Sequence, residues 1–143
     1  MKKKRNIMLS LVICVLSISI IFIALNTDGQ KPFRTLTKED IKEATVELYP
    51  PNITEELDKK EIESLVKILK KVVIYDEDNT YTEYAGQAVI YKITKKDGSV
   101  IKIQAYNPFL IIDGTGYKTK YEPCEELNAL GNKIGDTEYS RQD

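Results

Sequence analysis

The side chains that most enzymes use for acid–base and nucleophilic chemistry are scarce in this sequence of 143 residues. It contains no histidine, which excludes Ser-His and Cys-His catalysis, histidine-ligated zinc and a histidine pH switch. Its two cysteines are Cys14 and Cys124. The start of a helix lowers the pKa of a thiol, but Cys124 lies on an apolar helical face, which favours a small buried side chain. No catalytic residue is therefore predicted.

Two short motifs that could carry chemistry are incomplete. Ser64 and Lys67 match the S-x-x-K pattern of penicillin-recognising enzymes, yet Ser64 falls inside a predicted helix and the chain has no S-D-N motif. The run DEDNTY, which begins at Asp76, resembles the start of a calcium-binding loop. Its sixth position is Tyr81 instead of Gly, and its twelfth is Gln87 instead of Glu. We interpret these motifs as an ordinary helix and a solvated acidic loop, so no metal or other cofactor is predicted.

Tyrosine is the remaining chemical signal, because several of the nine tyrosines crowd the predicted loops around a sheet. Such rings can close over a core while their hydroxyls stay in water. They can also form a shallow face that binds a protein, a peptide or a glycan, since loops on a rigid scaffold often carry function. The residues predicted to form a ligand or partner surface are Tyr84, Tyr106, Tyr117 and Tyr121.

A carboxylate-based hydrolase is the enzymatic alternative to a binding module. It requires two acids about 5 to 10 Å apart at a cleft, and Asp113 and Glu83 are the candidate pair. A structural or immunity-type partner protein without a small ligand is a further alternative. The scarcity of catalytic side chains favours a binding module over an enzyme.

The N-terminal segment predicts a membrane anchor. Residues 7–25 contain no charge, and nineteen helical residues span roughly 28 Å, enough to cross the hydrocarbon core of a bilayer. The basic residues within segment 1–6 predict a cytoplasmic N-terminus and an exported C-terminal part. A cleaved signal peptide and a lipoprotein processed at Cys14 are the alternatives. The first needs a small-residue cleavage site, and the second needs Gly, Ala or Ser where Ile13 stands, so an uncleaved single-pass anchor in the cell membrane is favoured.

The rest of the chain has the length of one domain. Residues 26–31 are predicted to be a tether, 32–134 an extracytoplasmic domain and 135–143 a polar tail. Of the 21 lysines and arginines, four lie before the anchor, which leaves 17 against 22 acids and a net charge of −5. This charge argues against nucleic acid as a partner. The two cysteines fall in different compartments and are not predicted to pair.

The hydrophobic pattern predicts an α+β domain in which an amphipathic helix and a short C-terminal helix accompany an antiparallel sheet of about four to five strands. Asp58 and Glu61 form a capping box for a helix over 58–73. Pro123 suits the first position of a helix over 123–132. The predicted strands are 43–49, 87–94, 99–106, 109–112 and 116–120.

The sequence KKDG predicts a hairpin between the second and third of these strands. A two-residue turn would pair buried positions of one strand with exposed positions of the other. A three-residue loop over 96–98, with Gly98 in the left-handed region, matches buried with buried and is therefore predicted. Its pairs are Val89–Ala105, Tyr91–Ile103 and Ile93–Ile101. Gly114 and Gly116 are predicted to allow tight backbone turns between FLII and YKTK.

Three stretches carry a resemblance to a known family. YTEYAGQ, the DG of the hairpin and AYNPFLIIDGTGYKTKYEPCEELNAL resemble exported domains of unknown function from low-GC Gram-positive bacteria. The resemblance covers residues 32–134 and implies a domain behind a single membrane anchor. It also implies a role in envelope sensing or signalling, because similar domains are appended to membrane metallopeptidases of the beta-lactam-sensing type. It supplies no catalytic residue.

Overall fold

The structure, a computed structural model, describes residues 29–139. The predicted anchor 7–25, the basic segment 1–6 and Cys14 lie outside the described residues. Within the part that is described, no helix has both the length and the apolar character needed to cross a bilayer.

The described residues form an α+β arrangement built around a seven-stranded antiparallel sheet. The strands are β1 Ile41–Tyr49, β2 Ile53–Glu56, β3 Ile74–Glu77, β4 Ala88–Lys95, β5 Val100–Tyr106, β6 Phe109–Ile112 and β7 Thr115–Thr119. Their order across the sheet is β2-β1-β4-β5-β6-β7-β3. The helices are α1 Lys59–Leu69 and α2 Tyr121–Tyr139, with 3-10 turns at Lys38–Asp40 and Thr80–Glu83.

The predicted α+β class and antiparallel sheet are confirmed, whereas the predicted number of strands is too small. The two additional strands, β2 and β3, are short and lie at the two edges of the sheet. Their sequences, ITEE and IYDE, are half acidic and bury little. Short charged strands are a common protection of sheet edges, and the same composition removes the hydrophobic alternation by which strands are recognised.

The hairpin between β4 and β5 has the predicted register. Ile93 pairs with Ile101, and Val89 pairs with Ala105. Gly98 has a φ of +87°, and the N–H of Lys95 donates to the carbonyl of Ser99 at 2.8 Å. The three-residue loop is favoured because it keeps one face of both strands in the core.

Helix α1 begins as predicted and ends early. The Asp58 carboxylate accepts hydrogen bonds from the backbone N–H groups of Lys60 and Glu61, while Glu61 accepts one from the Asp58 N–H. The helix ends at Leu69 instead of residue 73. Residues 72–73 are buried, but they lie in the connection to β3. The apolar pattern therefore continues beyond the end of the helix.

Helix α2 is longer than the predicted 123–132, and Pro123 is its third residue. Gly131 and Gly135 resemble stop signals in the sequence, yet both are buried within the helix. A Cβ at Gly131 would collide with Val89 of β4, and one at Gly135 would collide with Leu48 of β1. The two glycines therefore allow the helix to approach the sheet closely.

A buried tyrosine also joins α2 to the sheet. Tyr91 of β4 has no exposed surface, and its hydroxyl donates to the carbonyl of Leu127 at 2.6 Å. Burial raises the pKa of this hydroxyl well above its usual value. The hydrogen bond meets the requirement that a buried phenol be paired.

The segment 78–87 folds back against β7 and the turn that precedes it. The Asn79 side chain accepts the N–H of Gly116 at 2.8 Å, and the Tyr81 hydroxyl donates to the carbonyl of Gly114 at 3.2 Å. Gly114 has a φ of +90° and lies in the turn as predicted. Gly116 lies inside β7 instead, where a Cβ would meet the Tyr81 ring. These contacts fix the residues that lead to Tyr84.

Candidate functional site

An open groove lies at one end of the sheet and has a volume of about 430 Å³. Two of the predicted surface tyrosines, Tyr84 and Tyr106, line it. We call it the Tyr84 groove. Its walls come from residues 84–87, from the end of β5 at Tyr106 and Asn107, and from α2 through Glu125, Asn128 and Asn132.

The helical wall follows from the spacing of polar residues on α2. Glu125, Asn128 and Asn132 lie three and four residues apart, which places them on one face of a helix. Cys124 and Leu127 face the core and are fully buried. The groove therefore lies along the boundary between the buried and the solvated sides of α2.

Asn107 has the most restricted environment in the groove. Its Nδ2 donates to Oε2 of Glu125 at 2.9 Å. Its Oδ1 is buried and has no hydrogen-bond partner among the described residues. A carboxylate only accepts hydrogen bonds, so Glu125 holds the amide with its nitrogen toward the helix and its oxygen away from it. An unpaired acceptor of this kind is uncommon in folded proteins.

The aromatic rim of the groove is partly fixed and partly free. Tyr84 is 62% exposed, and its ring centroid lies 5.8 Å from that of the buried Phe109. Tyr106 is half-buried and lies against Gly86, where a Cβ would be only 3.1 Å from the Tyr106 hydroxyl. The Gln87 amide donates to the carbonyl of Pro50 at 3.1 Å. The loop is thus tied to neighbours at both ends, while the Tyr84 ring keeps most of its surface in solvent.

The other two predicted surface tyrosines are not part of this groove. Tyr117, on β7, is half-buried and packs against the hydrophobic core. Tyr121 is 63% exposed at the first residue of α2. Two of the four predicted surface tyrosines, Tyr84 and Tyr106, therefore share the groove, and Tyr117 and Tyr121 lie outside it.

The amide and carboxylate residues of the groove were missed by the sequence reasoning. The predicted strands and helices do not single out Asn107, Glu125, Asn128 or Asn132. The three- and four-residue spacing of the last three was a usable signal. It identifies a shared face, but it does not show that loop 84–87 lies opposite that face.

The candidate hydrolase residues belong to other parts of the surface. Asp113 lies in the turn between β6 and β7, and its carboxylate accepts the Lys102 N–H at 2.8 Å. Glu83 is exposed in the 3-10 turn Thr80–Glu83. Neither lines the Tyr84 groove, where Glu125 supplies the one carboxylate among the described lining residues.

Cys124, Ser64 and the acidic loop DEDNTY make hydrogen bonds that belong to the fold. Cys124 is buried, as predicted, and its Sγ donates to the carbonyl of Phe109 at 3.3 Å. Burial raises the pKa of its thiol to about 11. Ser64 lies within α1, where its hydroxyl donates to the Lys60 carbonyl.

Within the acidic loop, the Asp78 carboxylate accepts hydrogen bonds from Thr80, which lower the pKa of that carboxyl. In residues 29–139, no group of three or more acidic or cysteine side chains could hold a metal ion.

Comparison with known proteins finds no matching family model, no matching curated protein and no matching solved structure. The resemblance of residues 32–134 to exported domains of Gram-positive bacteria therefore stays a prediction.

Proposed function

We propose that the chain is a membrane-anchored extracytoplasmic binding module whose ligand occupies the Tyr84 groove. The observation that carries this proposal is the groove itself. Two tyrosines and a set of amide side chains converge there from three separate segments. Its volume of about 430 Å³ lies within the roughly 300–1,000 Å³ that is usual for ligand pockets.

The groove is suited to recognition because rigid elements position it. Asn107 follows β5, an interior strand, and the helical residues belong to α2, which packs on the sheet through Gly131 and Gly135. Sites on helices and strands hold their geometry better than sites on loops alone. Binding to such a site costs little ordering of the protein.

The chain is attached to the sheet within a few residues of the predicted anchor, which supports an anchor close to the domain. Gln30 and Ile74 exchange two backbone hydrogen bonds, of 2.7 and 2.8 Å, which fix the entering chain beside β3. Four residues separate the predicted anchor 7–25 from Gln30. They span at most about 14 Å when extended, so an uncleaved anchor would hold the domain close to the membrane surface.

Site-specific photo-crosslinking in intact cells tests the proposed site. The full-length chain would carry p-benzoylphenylalanine in place of Tyr84, which keeps an aromatic ring at the rim of the groove. We expect ultraviolet light to produce an adduct of reproducible mass, because a bound ligand would lie against this ring.

The matched control carries the same probe in place of Val100. This residue is 47% exposed and lies at the opposite end of β5 from Tyr106, about 20 Å away along the strand. The same adduct from both positions, or none from position 84, would contradict a ligand site in the groove.

A further inference from the structure

We infer that the Tyr84 groove binds a neutral oligosaccharide, an inference that rests on the proposed binding function. The groove combines an exposed aromatic ring with hydrogen-bonding groups that need donors from a ligand. A polyhydroxylated ring with an apolar face satisfies both demands.

The first demand comes from Glu125. Its Oε2 accepts the Asn107 amide N–H at 2.9 Å, and its Oε1 has no hydrogen-bond partner within residues 29–139. The Oδ1 of Asn107 is also unpaired but is buried, so a ligand in the groove reaches the exposed carboxylate and not this amide oxygen. A carboxylate only accepts hydrogen bonds, so Oε1 can accept an O–H of the ligand.

The second demand comes from Asn128. Among residues 29–139 its side chain makes no hydrogen bond, while its backbone carbonyl accepts one from Asn132. An amide offers a donor and an acceptor side by side. A hydroxyl also donates and accepts, so vicinal hydroxyls fit a row of amides better than a purely donating or purely accepting ligand does.

The aromatic rim selects for an apolar face on the same ligand. Tyr84 presents most of its ring to solvent while Phe109 supports it from behind. An exposed, supported ring stacks on flat apolar surfaces and leaves its hydroxyl in water. The C–H face of a pyranose provides such a surface together with hydroxyls at its edge.

The geometry favours a glycan over a peptide. Extended peptides usually bind by adding a strand to a free sheet edge. The strand that reaches the groove, β5, is interior and already paired on both sides.

Charge favours a neutral glycan over an anionic one. Glu125 is the one formally charged residue among those that line the groove in the described part of the chain. Its carboxylate would repel an anionic ligand and is already paired with Asn107.

Glycan binding by the full-length chain in lipid nanodiscs tests the inference. The probes are an array of neutral oligosaccharides of two to six pyranose units and, beside it, an array of tetrapeptides. We expect saturable binding to at least one oligosaccharide. Asn128→Ala and Tyr84→Ala are each expected to weaken it about tenfold, because each removes a direct contact from an exposed or half-buried position without disturbing the core.

Matched variants separate lost contacts from lost structure. Lys133→Ala removes a polar side chain from the same helix, and Tyr75→Ala removes an exposed tyrosine from β3. Both residues lie outside the groove, and both variants should bind as the parent does.

Three further results would overturn the inference of a glycan ligand. The inference is wrong if no oligosaccharide binds, or if all variants bind alike. Binding of peptides alone, lost in the same groove variants, would overturn the glycan and leave the binding module standing. Failure of the binding module itself is recognised separately by the absence of a crosslink from position 84.

Discussion

At the scale of single residues, the same side-chain type has different roles at different positions of the fold. Asn107 and Asn128 are both amides of the Tyr84 groove, yet Asn107 is held by Glu125 and Asn128 makes no side-chain hydrogen bond within residues 29–139. Tyr91 is a core residue paired with a helix carbonyl, whereas Tyr84 is largely exposed. The role of a residue therefore depends more on its burial and its hydrogen-bond partners than on its side-chain type.

Cys124 gives a prediction for alkaline pH. Its thiol has a pKa of about 11 in the folded chain, above the ordinary value of 9.0, because burial disfavours the thiolate. Above pH 9 the unfolded state loses this proton while the folded state keeps it, so stability falls as the pH rises through this window. Between pH 9 and pH 10 the free energy of unfolding should fall by about 1 kcal/mol from this group alone.

The measurement is urea unfolding of the full-length chain in micelles at both pH values, followed by tyrosine fluorescence. Cys124→Ala serves as the control, since it removes the thiol and leaves the lysines and tyrosines that titrate in the same range. The difference in slope between the two chains isolates Cys124. Equal slopes would mean that the thiol titrates normally and is open to solvent.

At the scale of elements, the sequence predicted what local pattern determines. The capping box at Asp58, the register of the β4–β5 hairpin and the turn at Gly114 all depend on neighbours in sequence. The edge strands β2 and β3 and the length of α2 depend on distant contacts. In the sequence Gly131 resembles the end of a helix. Glycine is needed there because β4 lies close to the helix, and this contact cannot be inferred from the helix sequence alone.

Gly131→Ala should therefore destabilise the domain although alanine is the better helix former. The propensity gain is about 1 kcal/mol, but a Cβ at this position would collide with Val89, and overpacking of a tight contact costs about 1–3 kcal/mol. We expect a net loss of up to about 2 kcal/mol in the same unfolding experiment. Lys133→Ala, exposed on the same helix, should stay within about 0.5 kcal/mol of the parent. A gain in stability at Gly131 would show that α2 lies farther from the sheet.

The candidate site was predictable only in part, for a related reason. Tyr84 and Tyr106 were identified because aromatic residues in loops are a local signal. Asn107 and the polar side chains of α2 line one groove only because α2 lies beside loop 84–87. That juxtaposition brings together residues about 40 positions apart in sequence and follows from sheet order, which no short pattern encodes.

At the scale of the whole molecule, the proposed function joins an anchor, a short tether and a domain with a groove at one end of its sheet. The tether would keep the domain near the surface of the membrane because Gln30 is already fixed beside β3. A ligand in the extracytoplasmic layer would then be held close to the membrane by a single chain. This arrangement suits the envelope sensing that the resemblance implies.

Cysteine labelling in intact cells tests this account most directly. Ala85→Cys places a thiol in the groove and leaves its tyrosines in place, while Val100→Cys places one at the far end of β5. Both residues are exposed, and Cys124 is buried. We expect a membrane-impermeant maleimide to label both variants in intact cells. We also expect Ala85→Cys to react several-fold more slowly in cells than in the purified chain, while Val100→Cys reacts at the same rate in both. Labelling of either variant only after lysis, or equal rates for Ala85→Cys in cells and in the purified chain, would contradict it.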